Sequence, residues 1–347
     1  MRSVTVPLPG REYEVLVGGG LLDRAGELLA RRVPPCRLCL VADETVQELY
    51  GARAEAALRS AGFSPLPFSF PAGEESKRMD TLTRLLEHMA AHGLDRSDAV
   101  LSLGGGVAGD LAGFAAAVYL RGVRVAHLPT TLLSMADSAV GGKTGVDLAA
   151  GKNLAGAFWQ PELVICDTDT LATLPPREHA AGMAEVIKYG AVLDAELLEP
   201  RAFEHGELIA RCVQLKAELT AADERDGGSR RLLNFGHTVG HALERISGYS
   251  LRHGEAVSVG MAVITRGCER LGLTGHGGAE LLTRALRSFG LPTETDFSAA
   301  EIYAAALRDK KLRGGTLTMA LMAEPGRGRL LEIPPDSLRE ILERGLA

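Results

Sequence analysis

Short apolar runs and helix-period segments alternate along the first half of this chain, and no other feature restricts its fold as much. SVTVPL and EYEVLVG flank Gly10 and read as a hairpin. LLDRAGELLARR has a helical period, RLCLVAD is a buried strand, and TVQELYGARAEAALRSAG is a helix that ends at Gly62. PLPFSF, DAVLSLGGG, VRVAHLPTT and LVICD (163–167) are further strands, with the helix SKRMDTLTRLLEHMAAHG between the first two. Strands separated by helices pair in parallel, and the helices cover the faces of the sheet. After about Pro175 helical periodicity takes over, interrupted only by a short strand pair, TLTMALM and RLLEI, ahead of a terminal helix. The predicted fold is an α/β domain with a parallel sheet, residues 1–170, followed by a mainly α-helical domain, residues 171–347.

Composition removes several classes of function. A net charge of −6 gives no basic footprint, so a nucleic-acid partner is not expected. LSLGGGVAGDLAGFAAAVYL (101–120) has the length of a membrane span, but Asp110 sits in its middle and a glycine triplet opens it. It reads as a buried helix behind a Gly-rich turn, and no membrane partner is expected. The odd number of cysteines, five, and the N-terminus MRSVTVPLPG, which lacks signal-peptide character, fit a reduced cytoplasmic setting. Cys36 and Cys39 form a CxxC inside a strand with no second pair, which argues against a zinc or redox role.

Of 38 basic residues only seven are lysine, and these lie beside Gly, Asp, Glu, Asn and His clusters: GEESK, VGGKTG, GKN, AEVIK, DKK. Lysine is a compact charge with three rotatable donors and does not interchange with arginine at a site, so several bound phosphates or oxyanions are expected. Gly104-Gly105-Gly106-Val107-Ala108-Gly109-Asp110 follows a strand and opens a helix, where bare N–H groups and the helix dipole favour a phosphate. Asp43, at an earlier strand end, suits a ribose. With Glu74 and Lys77, which also follow a strand end, the set suggests a dinucleotide. The run 129–153 gathers Thr130, Thr131, Asp137, Lys143, Lys152 and Asn153 in a Gly-rich, loop-like stretch. Its GGKTG fails the Walker spacing, because residue 137 is aspartate where that pattern has glycine, so an NTPase is excluded.

His237 and His241 lie four residues apart on one helix face, and His253 begins the next HGEAV segment. Glu185 is a carboxylate on an apolar helix, with Lys188 one turn on. A catalytic metal takes three protein ligands and keeps an open position, and Glu185 with two of the three histidines supplies such a set.

GGGVAGD, PTTLL with a following Asp, VGGKTG, GKN, TLPPRE, AE-x-x-K-x-G, LNFGHTVGHALE and HGEAV occur in this order. Over about residues 40–315 the chain resembles the 3-dehydroquinate synthases, of the sugar phosphate cyclase family. The resemblance implies a Rossmann-like N-terminal domain, a helical C-terminal domain and a homodimer. It implies conversion of 3-deoxy-D-arabino-heptulosonate 7-phosphate to 3-dehydroquinate, with NAD and a divalent metal, zinc or cobalt, as cofactors. It implies Glu185, His237 and His253 as metal ligands, whereas spacing alone would favour His237 with His241. Asp43, Glu74, Lys77, Gly105, Gly106, Val107, Asp110, Thr130, Thr131, Thr170 and Thr173 would hold NAD, with Lys143 and Lys152 near NAD and substrate. Lys143, Asn153, Asn234 and Lys310 would surround the substrate phosphate, reached by Arg121 of a neighbouring subunit. Lys216 and Arg230 would take the carboxylate, Asp137 and Lys188 would face the ring hydroxyls, and His241 would lie close to metal or substrate.

Three departures from the family pattern are Ala139 in DSAV, Asp147 where asparagine is common, and the segment 319–328. The alternatives implied are another sugar phosphate cyclase, or a related metal-dependent alcohol or glycerol dehydrogenase. Lys216 and Arg230 together argue for a carboxylated substrate. From a different class, a catalytically inactive NAD-binding regulator would lack an intact set of metal ligands.

Overall fold

The structure, a computed structural model, describes residues 1–309 and 316–347. It divides into two compact units, Met1–Leu174 with His205–Ala221, and Pro175–Glu204 with Ala222–Ala347. Along the chain the strands are β1 (Arg2–Val6), β2 (Tyr13–Gly18), β3 (Arg37–Asp43), β4 (Ser64–Phe70), β5 (Ala99–Gly104), β6 (Arg124–Pro129), β7 (Lys143–Leu148), β8 (Gly151–Phe158), β9 (Leu163–Asp167), β10 (Leu317–Glu324) and β11 (Arg327–Ile333). The α-helices are α1 (Ala25–Leu29), α2 (Glu44–Val46), α3 (Ala52–Ser60), α4 (Met79–Ala91), α5 (Gly106–Val118), α6 (Pro176–Val192), α7 (His205–Ala222), α8 (His237–Ile246), α9 (His253–Arg270), α10 (Gly278–Arg287), α11 (Ala299–Asp309) and α12 (Pro335–Leu346).

The first unit is built on a seven-stranded sheet in the order β1-β2-β9-β6-β5-β3-β4. Only β1 runs antiparallel to its neighbour; every other pairing is parallel. Period-two alternation sends Leu38, Leu40 and Ala42 of β3 to one face and Cys39 and Val41 to the other, and each face has its own apolar core. Each fully buried leucine contributes about 1.5–3 kcal/mol relative to an exposed one. From β3 the chain turns to the β4 edge and then returns to place β5 on the other side of β3. That reversal falls at the carboxyl ends of β3 and β5, the place where open α/β sheets bind ligands.

One expectation fails here. The glycine-rich stretch after residue 142 is a strand pair, β7 with β8, antiparallel and offset by a bulge between Val146 and Leu148. Glycine content hid it, and the physical reason for that content is contact: a Cβ on Gly145 would lie 2.7 Å from the Ala155 carbonyl oxygen across the pair. The segment 101–120 is β5, α5 and a short turn, and no described helix is long and apolar enough to cross a membrane. The CxxC cysteines lie on or just before β3, and burial pushes the Cys36 thiol up to about 11 and the Cys39 thiol up to about 12. Neither offers a thiolate near neutral pH.

In the second unit α6, α8, α9, α10, α11 and α12 enclose an apolar core that the hairpin β10–β11 also lines. α9 lies at its centre, with nearly every residue from Gly254 to Cys268 buried.

Candidate active site

Four of the sequence-selected groups in the first unit stand at adjacent strand ends. Asp43 ends β3 and its Oδ1 caps α2, accepting from the Val46 N–H at 3.0 Å. Gly104 adopts φ +153°, a value other residues avoid, and a Cβ there would lie 2.9 Å from Ala108 Cβ and 3.7 Å from Asp43 Oδ2. The chain can therefore turn sharply into α5, with Gly105 as its N-cap and Gly106 and Val107 in its first turn. Thr130 donates its N–H to the Gly104 carbonyl at 2.9 Å, and Thr131 lies against Gly105. Thr170 and Thr173 follow β9, where the Tyr50 hydroxyl donates to the Thr170 carbonyl at 3.1 Å and bonds the Thr173 hydroxyl. The strand ends of β3, β5, β6 and β9 thus present a carboxylate, open helix N–H groups and hydroxyls along one edge, an arrangement suited to ribose and phosphate groups.

Charged groups form a second cluster in this unit. Lys77, only 4% exposed, reaches Asp110 Oδ2 at 2.5 Å and Glu74 Oε1 at 3.8 Å. Burial works to discharge Lys77, but Asp110 and Glu74 outweigh it and push the ammonium up to about 12. Lys152 lies 3.5 Å from the same Glu74 oxygen. Asn153 follows it at φ +54° and gives its N–H to Asp147 Oδ1 at 2.8 Å, while Asp147 gives its own N–H to the Lys77 carbonyl. The aspartate that departs from the family pattern thus braces the start of β8, where Lys152 and Asn153 lie.

Lys143 opens β7 on the exposed side of the hairpin, and Arg121 is exposed at φ +69° after Leu120 at φ +50°. Lys216, on α7 and 6% exposed, donates to Asp137 Oδ1 and to the Asp137 carbonyl, each at 2.7 Å. The structure therefore brings together Asp137 and Lys216, which the sequence had placed at different parts of the substrate.

The second unit holds the histidines. Gly236 precedes α8 at φ +81°, and a Cβ there would lie 2.8 Å from the Val257 carbonyl, so α8 starts close against α9. His237 gives its Nδ1 hydrogen to the Phe235 carbonyl at 3.1 Å, which leaves Nε2 as the lone-pair nitrogen. That nitrogen lies 3.7 Å from Glu185 Oε1, and His253 Nε2 lies 3.2 Å from the same oxygen. Lys188, one turn along α6 and 1% exposed, donates to Glu185 Oε2. Glu185, His237 and His253 each present one ligand atom within 4.8 Å of the others. His241, Glu244 and His253 form an overlapping second set.

Burial, aided by Lys188, holds the His237 imidazole well below its usual range, so it is neutral, as a metal ligand must be. Burial works to lower His253 too, but its bonds to Glu185 and Glu244 push it up to about 10. Two carboxylates flanking one ring favour positive charge beside it, proton or metal ion. The donor set, two imidazoles and a carboxylate, fits zinc or cobalt.

Arg230, 2% exposed, donates to the Glu224 carbonyl at 2.8 Å, and its N–H is held by Asp223 Oδ2. Asn234 ends the short helix Ser229–Asn234 that leads to α8. Lys310 lies outside the described residues. Glu244 and Tyr50 were missed in the sequence, and Asp147 was noted only as a departure from the family pattern: Glu244 sits one turn beyond His241 and reads as helix surface until its burial is seen.

The 3-dehydroquinate synthase N-terminal family model matches residues 67–181 and the 3-dehydroquinate synthase C-terminal model matches residues 182–312. The chain is 41% identical to a 3-dehydroquinate synthase of Enterococcus faecalis over 99% of each chain. It is 43% identical to that of Symbiobacterium thermophilum over 95% of this chain and 97% of the relative. Among solved structures, 2-deoxy-scyllo-inosose synthase complexed with carbaglucose-6-phosphate, NAD+ and Co2+ superposes with TM-score 0.88 at 26% identity, covering 99% of this chain and 100% of that one. ValA, a 2-epi-5-epi-valiolone synthase from Streptomyces hygroscopicus with NAD+ and Zn2+ bound, gives 0.85 at 30% identity, covering 95% of each. With both halves matched by that family's models and full-length relatives at about 40% identity, the chain belongs to the 3-dehydroquinate synthase family.

Proposed function

We propose that the chain converts 3-deoxy-D-arabino-heptulosonate 7-phosphate to 3-dehydroquinate and inorganic phosphate, a carbon–oxygen lyase reaction using NAD and a divalent metal with no net redox change. The observation that carries this reading is the trio Glu185, His237 and His253, braced by Lys188, in a chain with this family membership. When bound, the ion supplies Lewis acidity to a substrate hydroxyl, and NAD supplies a hydride acceptor that is restored within the turnover.

The protein's own residues do the holding. Lys188 occupies Glu185 Oε2, so that Oε1 is the oxygen aimed at the two imidazoles. His241, whose ring centroid lies 5.4 Å from that of His237 and 5.9 Å from that of His253, is assigned to orienting or deprotonating a substrate hydroxyl. Gly105, Gly106 and Val107 offer N–H groups to the pyrophosphate, and Asp43 offers acceptors to a ribose. Glu74, Lys77, Asp110, Thr130, Thr131, Lys152, Thr170 and Thr173 complete the cofactor set. Lys143, Asn153, Arg230, Asn234, Asp137 and Lys216 keep the substrate roles that the resemblance implies, and Lys216 reaches its role already charge-paired with Asp137. Carboxylates pair with Lys77, Lys152, Lys188 and Lys216 and keep their donors aimed.

We further propose a homodimer. Val118 at the end of α5, Leu120 just after it, and Leu148, Leu154 and Phe158 on the β7–β8 hairpin, which packs on α5, are large apolar side chains left exposed, and Arg121 lies among them in sequence. Light scattering on the purified protein checks this, with a mass near twice 36.7 kDa expected.

The test of function is an assay of phosphate release and 3-dehydroquinate formation with NAD and zinc. Chelator should stop both products, and metal should restore them. Glucose 6-phosphate and sedoheptulose 7-phosphate should be inert. Steady accumulation of NADH would show a dehydrogenase instead and refute the reading.

A further inference from the structure

The two histidines of the trio offer Nε2 to the same oxygen, and each therefore needs something to hold Nδ1. For His237 the structure supplies it in the Phe235 carbonyl, 3.1 Å away. For His253 the group facing Nδ1 is a side chain, Glu244, whose Oε1 lies 3.6 Å from it. We propose that Glu244 is a positioning residue that orients the His253 ring, accepting the Nδ1 hydrogen so that Nε2 is the atom offered to the metal. This rests on the metal site proposed above.

Three observations carry it. Glu244 is 1% exposed, and a carboxylate is not buried to that degree without a partner that uses its charge. His237, His241 and Glu244 stand at i, i+4 and i+7 on α8, a single stripe, and His253 at the start of α9 faces it: its ring centroid lies 5.2 Å from that of His237 and 5.9 Å from that of His241. The two nitrogens of His253 point at different carboxylates, Nε2 at Glu185 and Nδ1 at Glu244, so the ring is clamped at both ends. A ligand imidazole whose second nitrogen bonds a carboxylate is fixed in tautomer and made a stronger donor.

The experiment measures zinc affinity of the full-length protein by competition with a chromophoric chelator, for wild type, Glu244→Gln, Glu244→Met and Glu185→Gln. Glutamine keeps an acceptor and loses the charge; methionine keeps the volume and loses both. The expected result is one zinc per chain in every Glu244 variant, bound about 10-fold more weakly in Glu244→Gln and about 100-fold more weakly in Glu244→Met. 15N-histidine spectra should show one imidazole losing its fixed tautomer in Glu244→Met. Unchanged affinity in folded Glu244→Met would overturn the proposal, whatever happens to its melting temperature. A loss in Glu244→Gln as large as in Glu185→Gln would also overturn it, because Glu244 would then be a ligand itself. Wild type that binds no zinc, or Glu185→Gln that binds it as tightly, would instead remove the metal site on which the inference stands.

Discussion

His127 gives the sharpest stability prediction. It lies on β6, 4% exposed, paired in register with Ser102 on β5, whose hydroxyl bonds its Nδ1 at 2.7 Å. Burial holds its imidazole down to about 4, from 6.5 in an open chain. The sign follows directly: between these values the unfolded chain binds a proton that the folded chain refuses, so stability is complete above pH 6.5 and is lost as pH falls towards 4. At 1.36 kcal/mol per pH unit the whole loss is about 3 kcal/mol, of which about 2 kcal/mol has gone by pH 5.0 and almost none at pH 7.5.

The perturbation is His127→Asn, whose amide occupies the Nδ1 position and keeps the Ser102 bond but cannot titrate. At pH 7.5 the variant should be less stable than wild type by about 1–3 kcal/mol, from the lost ring volume. At pH 5.0 that gap should shrink by about 2 kcal/mol, because wild type alone bears the proton-linked loss. Guanidinium unfolding followed by the single tryptophan, Trp159, measures it in the right unit, since Trp159 and His127 both belong to the first. Carboxylates that titrate in the same range affect both proteins alike and cancel. A gap that stays constant within about 0.5 kcal/mol, or widens in acid, would refute the assignment of a buried neutral imidazole.

Glu185→Ala should lose bound zinc and all metal-dependent turnover, measured by elemental analysis and phosphate release. Gly236→Ala forces a side chain into left-handed backbone and against the Val257 carbonyl, and should cost about 3 kcal/mol or more in unfolding experiments, with metal affinity falling in step. Lys77→Met leaves the half-buried Asp110 without its ammonium; thermal melts should report a loss of about 3 kcal/mol, and NAD affinity should fall by equilibrium dialysis. Asp147→Ala should raise the KM for the phosphorylated substrate more than it lowers kcat, because it releases the backbone N–H of Asn153 at the start of β8.

The sheet was legible because its strands are buried on both faces and read as unbroken apolar runs, RLCLVAD and LVICD above all. β7 and β8 were not legible, because they are glycine-rich and half exposed and carry no apolar run. The helix α7 looks in sequence like every other helix after Pro175, yet it clusters with the first unit, where Lys216 bonds Asp137. Helical period reports that a face is buried and says nothing of what covers it. The same limit hid Glu244, since a glutamate on an amphipathic helix carries no mark of burial.

The histidines show where helix spacing and tertiary geometry part. An i, i+4 pair on α8 invites a metal between His237 and His241, and chelation within one helix would need no tertiary structure. What brings His253 to Glu185 instead is how closely α9 lies on its neighbours. A Cβ on Gly240 would come within 3.1 Å of Val257 backbone atoms, one on Gly260 would meet the Gly236 carbonyl, and one on Gly254 would meet the backbone of Ala181 on α6. At each of these contacts glycine removes the side chain that would hold two backbones apart. α9 therefore docks on α6 and α8 at backbone contact distance, and its first residue, His253, arrives with Nε2 at 3.2 Å from Glu185. Gly236, Gly240, Gly254 and Gly260, set around His237, His241 and His253 in FGHTVGH and HGEAVSVG, are thus as much a part of the proposed metal-site signature as the histidines, and Gly254→Ala should abolish zinc binding, measured by elemental analysis, without touching a ligand.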